Sequence, residues 1–176
     1  MKKKHIVLIA IVAILAILGV TTSFLKSISG AVVDAETGTP IEGAVVLVEW
    51  TRRMGIGDYH TVSVRAGETI TDKEGKFYVL GPLHPFVDPQ DVTVYKKGYV
   101  AWNNKFIFPD YAHRKQSVDM YQAVKLDHYK DAYSYDQHVS FILTCINSTI
   151  ASHKKGKFKA AFDWELELAR QEVKKK

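Results

Sequence analysis

The stretch of sequence that decides the fold is residues 27–50, SISGAVVDAETGTPIEGAVVLVEW, in which a polar cluster separates two apolar runs. Within the cluster, Asp34 and Thr37 carry short side chains whose oxygens can accept hydrogen bonds from nearby backbone N–H groups. Gly38 can adopt a positive φ angle, and Pro40 fixes φ where the chain leaves the cluster. These residues are typical of a turn rather than of a reactive loop. The stretch therefore predicts two strands joined by a tight turn.

Strand patterns continue as far as Trp102. Four segments are rich in β-branched and aromatic residues and are separated by Gly, Pro and Asp at hairpin-like intervals; they read AVVLVEW, YHTVSVR, KFYVL and DVTVY. Turn-forming residues recur at Asp72 and Gly75, before Phe77, and once more at Gly98. Because no segment with a helical period lies between the strands, the pattern predicts a mainly β fold, in the form of a sandwich.

Three turn motifs in this order resemble the carboxypeptidase regulatory-like domain, which is related to the transthyretin-like and Cna-B-like sandwiches. The resemblance covers residues 28 to about 102, and the residues that carry it are Gly30, Val32, Asp34, Thr37, Gly38, Pro40, Ile41, Gly43, Ala44, Val46, Thr71, Asp72, Gly75, Phe77, Gly98 and Tyr99. It implies a prealbumin-like, seven-stranded antiparallel β-sandwich. It does not imply peptidase activity, because in that family the domain is an appendage to catalytic, receptor or surface proteins. The region between Trp50 and Gly67 departs from the family pattern and predicts a longer hairpin with residues 53–58 at its tip.

The N-terminal segment predicts export. Three lysines at positions 2–4 precede residues 6–25, which carry no charged side chain, and this pattern is typical of a signal peptide or a membrane-anchoring helix. Cleavage after Ser23 and retention as an anchor are both compatible with the sequence, and both place the remaining chain outside the cytoplasm. The net charge of +5 also arises here, since the chain beyond residue 27 has 20 basic and 19 acidic residues. The composition therefore indicates a membrane contact through residues 1–27 if they are uncleaved, and no nucleic-acid binding.

The C-terminal part of the chain changes to a helical period. Apolar residues recur at helical spacing in two stripes, which are interrupted at Gly156; the stripes are Tyr135, Val139, Ile142, Ile146 and Ile150, and then Phe158, Phe162, Leu166, Ala169 and Val173. Each predicted helix must bury its stripe, against the other helix or against the sandwich. The predicted domains are thus an export segment at 1–27, the sandwich at 28–127 and a helical extension at 128–176. Cys145, the single cysteine, has the apolar neighbours Ile142, Leu143 and Ile146 and is expected to be buried and inert.

Sequence motifs for catalysis are missing. No His is followed by Glu at the spacing of a zinc carboxypeptidase, and no Gly-x-Ser-x-Gly motif occurs, so we expect no enzyme and no cofactor. One set of residues forms a weak metal-site candidate if a helix begins early enough to place its members on one face: His128, Asp131, Tyr135 and His138. The alternative is that these side chains only border the apolar stripe, in which case His128→Ala with His138→Ala should change stability little.

Aromatic residues suggest a possible binding surface. Five of them lie on or near the predicted strands and could form a platform for a sugar or a peptide, although alternation would turn about half toward the core; they are Trp50, Tyr59, Tyr95, Tyr99 and Trp102. The sequence thus favours a non-catalytic, extracytoplasmic binding or structural module of a bacterial envelope, in the periplasm or at the cell surface, with a protein or glycan partner. The alternative is an accessory subunit or small metal-dependent enzyme that uses the histidine face.

Overall fold

The computed structural model describes residues 5, 7–13, 26–55, 60–84, 87–114, 123–146 and 156–175. Within these ranges, residues 7–13 are helical and the remaining elements follow in chain order: β1 (Ile28–Asp34), β2 (Val45–Met54), β3 (His60–Ile70), β4 (Lys76–Val79), β5 (Asp88–Tyr95), β6 (Trp102–Asn103), β7 (Phe106–Ile107), β8 (Ala112–His113), β9 (Val124–Leu126), α1 (Tyr135–Cys145) and α2 (Lys157–Lys174). The predicted mainly β class with two C-terminal helices is confirmed.

The strands form two sheets that share a core. A three-stranded sheet has the order β4-β1-β9, a four-stranded sheet has the order β3-β2-β5-β6, and β7 and β8 form a separate ribbon. Buried residues from both larger sheets make up one hydrophobic cluster, including Val32 from β1, Val48 from β2 and Val94 from β5. The pairing of β1 with β9 is parallel, which departs from the predicted antiparallel sandwich. A hairpin turn imposes antiparallel pairing only on strands that it joins, whereas β9 reaches β1 after a long connection.

Strand β2 is buried on both faces, and this sets the layers of the molecule. Val46, Val48 and Trp50 belong to the core between the sheets. Val45 and Leu47, which alternate with them, belong to a second core together with residues of both helices. A strand covered on both sides needs no polar residues at alternate positions. The run VVLVEW is therefore consistent with three layers, which are the three-stranded sheet, the four-stranded sheet and the helices.

The two helices dock on the outer face of the four-stranded sheet, as their apolar stripes predict. Phe141 and Ile142 of α1 and Phe158 and Phe162 of α2 are at most 3% exposed in the second core. Helix α1 ends at Cys145, and Ile150, which was expected to extend its stripe, lies outside the described residues.

Carboxylates from other elements bind the first turns of both helices. Glu68 of β3 accepts hydrogen bonds from the backbone N–H groups of Lys157 and Phe158 at the start of α2. Glu172 of α2 accepts from the Ser134 hydroxyl (2.9 Å) and from the Asp136 N–H (3.1 Å) at the start of α1. A negative charge at a helix N-terminus satisfies free N–H groups and complements the helix dipole. These contacts fix where each helix begins relative to the sheet and to the other helix.

The turn in the opening stretch has the predicted conformation. Gly38 has a φ of +72°, and its N–H donates to the carbonyl of Asp34 at 2.9 Å. Gly75, in the second motif, has a φ of +71°, and a Cβ at this position would lie 2.4 Å from the carbonyl oxygen of Val32. Glycine is required there by both the backbone conformation and the close approach of β1.

Two predicted features fall largely outside the described residues. Residues 1–4, 6 and 14–25, which make up most of the predicted export segment at 1–27, and residues 56–59 at the hairpin tip are not among them. In the part of the chain that is described, no helix is both long enough and apolar enough to cross a membrane. Beyond Trp102, β7 pairs with β8 in the ribbon, and β9 is an edge strand of the three-stranded sheet.

Candidate functional site

A cluster of polar side chains lies buried between the four-stranded sheet and the helices. Its members come from three elements: Tyr95 ends β5, His138 lies in the second turn of α1, and Glu165 lies in the middle of α2. None of the three is more than 2% exposed. Buried titratable groups in contact are the first place to look for catalytic chemistry, and equally for a structural hydrogen-bond network.

Hydrogen bonds define the protonation state of His138. Its Nε2 accepts from the backbone N–H of Ala101 at 2.8 Å, so this nitrogen carries a lone pair and no proton. The other ring nitrogen, Nδ1, contacts the Glu165 carboxylate and must therefore be the protonated one. His138 is a neutral imidazole that accepts from the sheet side and donates to α2.

Glu165 and Tyr95 complete the network. The Tyr95 hydroxyl donates to the second carboxylate oxygen of Glu165 at 2.6 Å and accepts from the Trp164 indole N–H at 2.7 Å. Burial, reinforced by the Glu165 charge, raises the pKa of Tyr95 far above its ordinary value, so the hydroxyl stays protonated. The carboxylate of Glu165 thus accepts two buried donors, and the cluster holds one negative charge in an enclosed site.

Aromatic rings enclose the cluster. Phe108 packs edge-on against the imidazole of His138 with ring centroids 4.9 Å apart, and Tyr129 lies at 5.3 Å. Tyr129 in turn stacks on Tyr135 with centroids 4.9 Å apart and nearly parallel planes. The Tyr129 hydroxyl is buried and has no hydrogen-bond partner among the described residues, and burial, followed by the Glu165 charge, raises the pKa of its hydroxyl. Among the described residues, these rings pack around an imidazole that is fully buried.

A second polar cluster forms around the turn of the opening stretch. One carboxylate oxygen of Asp34 accepts from the N–H groups of Glu36 and Thr37, both at 2.9 Å. The other oxygen contacts His128 Nε2 at 2.8 Å and the Tyr99 hydroxyl at 3.1 Å. The backbone bond from Thr37 is the largest of several causes that lower the pKa of Asp34 to about 2.

Asp34 therefore has a role beyond the turn that the sequence predicts. The ring of Tyr99 stacks on that of His128 with centroids 4.6 Å apart, and both contact the same carboxylate. Because His128 lies just after β9, the first turn motif is tied to the segment that leads into the helices. Tyr99 belongs to the third motif, so the first and third motifs meet in space.

The predicted histidine face does not form. Helix α1 begins at Tyr135, capped by Ser134, so His128 and Asp131 precede it and cannot share its face. Among the described residues, no three His, Cys, Asp or Glu side chains are arranged to hold a metal ion. The expectation that His138 is a marginal edge residue is also wrong, because its side chain is fully buried and bonded at both nitrogens.

Three of the five residues of the candidate aromatic platform are buried. Trp50 and Tyr95 are fully buried and Trp102 is 7% exposed, because the strands that carry them are covered by the opposite sheet or by the helices. Tyr99 is half-buried against His128, and Tyr59 lies outside the described residues. Cys145 is buried as expected, and burial raises the pKa of its thiol to about 12.

The other motif residues shape turns. Gly43 and Gly98 have φ values of +74° and +87°, and the Asp72 side chain accepts from the Lys76 N–H at 2.7 Å. Pro40 pairs with Val33 in an isolated bridge. Gly30 pairs with Phe77 in the β1–β4 ladder, and Phe77 reaches the core between the sheets.

Comparisons with known proteins give no family. No protein-family model and no curated protein match the chain. Similar solved structures include a streptococcal ancillary pilin (TM-score 0.29, 18% identity, 60% of this chain and 30% of that one) and the Acinetobacter radioresistens catechol 1,2-dioxygenase (0.34, 18%, 61% and 53%). A third is the C-terminal domain of the shaft pilin spaA from Lactobacillus rhamnosus GG (0.33, 17%, 60% and 98%). The chain thus spans less than a third of the first and about half of the second, and TM-scores at this level assign neither fold nor activity.

Proposed function

We propose that this chain is a non-catalytic structural or binding module that works outside the cytoplasm, in the periplasm or at the surface of a bacterial cell. Residues 28–127 make up a prealbumin-like sandwich of the carboxypeptidase regulatory-like type, a proposal that rests on the three turn motifs. Residues 1–27 deliver the module to the envelope, either as a cleaved signal or as an anchor, and their basic flank and uncharged run support this role.

The observation that carries the proposal is the enclosure of the Tyr95–Glu165–His138 cluster. A general acid or base must come within hydrogen-bond reach of its substrate. These three side chains are at most 2% exposed and use their polar atoms to bind one another, the Trp164 indole and the Ala101 backbone just before β6. Their arrangement supports a role in joining the helices to the sheet rather than in chemistry.

Burial of the aromatic residues favours a protein partner over a glycan. The part of the module best suited to meet an extended segment of such a partner is the outer edge of β3, since this strand ends the four-stranded sheet. Val62 and Val64 are 37% and 46% exposed, and Arg53 and Arg65 are exposed beside them. An edge strand offers backbone groups to an incoming strand, and the arginines favour an acidic one.

Fractionation of cells that express the full chain tests the localisation. The proposal predicts recovery from membranes or from outside the cytoplasm, and soluble, full-length protein in the cytoplasm would contradict it. N-terminal sequencing of the recovered chain then separates a cleaved signal, with a new start near Phe24, from an intact anchor.

Site-specific photo-crosslinking in intact cells tests the partner. A photoreactive residue at Val64 should capture an envelope protein, whereas the same residue at Leu80, which is 51% exposed after β4, serves as the matched control. Equal capture at both positions would contradict a specific role for the β3 edge. The variant Glu165→Gln, where it remains folded, should retain the capture, because the buried cluster acts only on the fold.

A further inference from the structure

An apolar groove runs between the two helices on the side that faces away from the sheet. Its volume is about 360 Å³, and its floor and walls are formed by Val139 of α1 and by Leu166, Ala169 and Val173 of α2. Val173 is 53% exposed. Leu143, one turn beyond Val139, is 49% exposed and extends the same surface along α1.

Opposite charges flank the groove at one end. Asp136 stands on the α1 wall, and Arg170 and Lys174 stand on the α2 wall. Arg170 has an exposed ion-pair partner in Glu167 at 3.6 Å. The side chains of Asp136 and Lys174 have no ion-pair partner within the described part of the chain. On each helix the charged position lies roughly half a turn around the axis from the positions that face the sheet.

We propose that this groove is the interface of a homodimer, in which the α1–α2 pair of one copy packs on that of a second copy to form a four-helix bundle. The two-fold axis runs parallel to the helices. Such an axis places α1 of each copy over α2 of the other, at the same level along the bundle. Asp136 of one copy then faces Lys174 of the other, and the contact occurs twice.

The charge pattern favours this two-fold axis over one that runs perpendicular to the helices. A two-fold axis that lies in the plane of the interface and is perpendicular to the helices would instead place α1 of one copy over α1 of the other. The two Asp136 side chains would then lie at opposite ends of the bundle. No complementary charges would then meet. A surface that carries an apolar stripe with an acidic wall and a basic wall is self-complementary only about the axis along the helices.

The size of the surface predicts a reversible dimer. Helix α1 has 11 residues and α2 has 18, so the shared face is about 16–27 Å long and about 20 Å wide, or roughly 300–500 Å² per copy. This lies below the roughly 800 Å² per partner of a standard stable interface. We therefore expect weak, concentration-dependent association rather than a permanent dimer.

Sedimentation equilibrium of the full chain in detergent micelles tests the proposal through reciprocal charge changes. Asp136→Lys and Lys174→Asp should each weaken the dimer by about tenfold or more, because each places like charges opposite one another twice. The double variant, which exchanges the two charges, should recover to within about threefold of the wild type. Lys73→Asp, in the turn before β4, makes the same charge change away from the helices and should leave the dissociation constant unchanged.

Val173→Glu provides an independent variant. Because this side chain is 53% exposed, the substitution should leave the melting temperature of the monomer unchanged while weakening association by about tenfold or more. Association through the N-terminal segment would respond to none of these changes, so a dimer insensitive to them overturns the proposal. A monomer up to about 500 µM also overturns it and leaves the groove to a helix of another protein or to an acyl chain. Single variants that weaken the dimer without recovery in the double variant would refute the proposed two-fold axis.

Discussion

Removal of the Glu165 carboxylate should destabilise the protein more than any other single change to a charged side chain described above. In Glu165→Ala, the His138 Nδ1–H and the Tyr95 hydroxyl lose the acceptor that they share. Both donors stay buried, since the substitution opens no path to solvent. Each unsatisfied buried donor costs about 1–3 kcal/mol, so the two donors together cost about 2–6 kcal/mol. We therefore expect the free energy of unfolding to fall by about 3–5 kcal/mol, a large part of the roughly 5–15 kcal/mol typical of a folded domain.

Urea denaturation followed by tryptophan fluorescence measures this loss. With an m-value of about 2 kcal/mol/M, the midpoint should fall by about 2 M. Glu165→Gln keeps one acceptor and should cost about 1–2 kcal/mol. Glu167→Ala, on the same helix but 55% exposed at its side chain, is the matched control and should change the free energy by no more than about 0.5 kcal/mol. Equal midpoints for Glu165→Ala and Glu167→Ala would refute the reasoning, because the carboxylate would then not be a buried acceptor.

Three further predictions concern the turn and the helix docking. Gly38→Val should lower the free energy of unfolding by about 1–2 kcal/mol through backbone strain alone, since no atom lies within 4 Å of the added Cβ; an unchanged melting temperature would contradict the positive φ. Because the folded-state pKa of Asp34 is lowered to about 2, its charged form stabilises the fold above about pH 4, and this contribution disappears as the pH falls through about 2. The stability difference between wild type and Asp34→Asn, from urea midpoints across this range, should therefore shrink toward low pH, and a constant difference would count against the charge. Ile142→Asp should abolish the cooperative thermal transition or cause aggregation, because the residue is fully buried in the second core; a native-like melt would show that the helices are not docked.

Local patterns predicted the parts of the fold that depend on neighbouring residues. The turn at Asp34 to Pro40 follows from side chains that bond adjacent backbone groups, and the two helices follow from apolar spacing. Burial of Cys145 follows from its apolar neighbours in the sequence. Each of these features is set within a few residues along the chain, so one sequence is sufficient to recognise it.

The buried cluster could not be predicted because it depends on contacts between distant elements. Glu165 lies 27 positions from His138 and 70 from Tyr95, and no spacing rule connects them. One signal was present in the sequence: Glu165 occupies a position of the α2 stripe, seven residues after Phe158 and four before Ala169, where an apolar residue is expected. A charged residue at a buried helical position requires a partner, and His138, next to Val139 of the α1 stripe, was the other half of that signal.

The aromatic residues were misjudged for a related reason. Alternation with a period of two predicts that half of the side chains of a strand point to each face of the sheet. It does not predict which of the two faces is covered by another layer. In this protein the helices cover the outer face of the four-stranded sheet, so Tyr95 is buried there while Trp50 is buried on the inner face. Docking of the helices thus buries Tyr95, and packing of the two sheets buries Trp50 and Trp102.

The most direct test of the structural role assigned to the cluster is a long-range ¹H–¹⁵N NMR spectrum of His138 at neutral pH, with its signal assigned by comparison with a His138 variant. The account predicts a neutral ring with the proton on Nδ1 and a bare Nε2, because Nε2 accepts from Ala101 and Nδ1 donates to Glu165. The Nδ1 proton should exchange slowly with water, since the ring is fully buried. A proton on Nε2 would contradict the account because that nitrogen could not accept from Ala101, and rapid exchange at Nδ1 would contradict it because the imidazole would then be open to solvent.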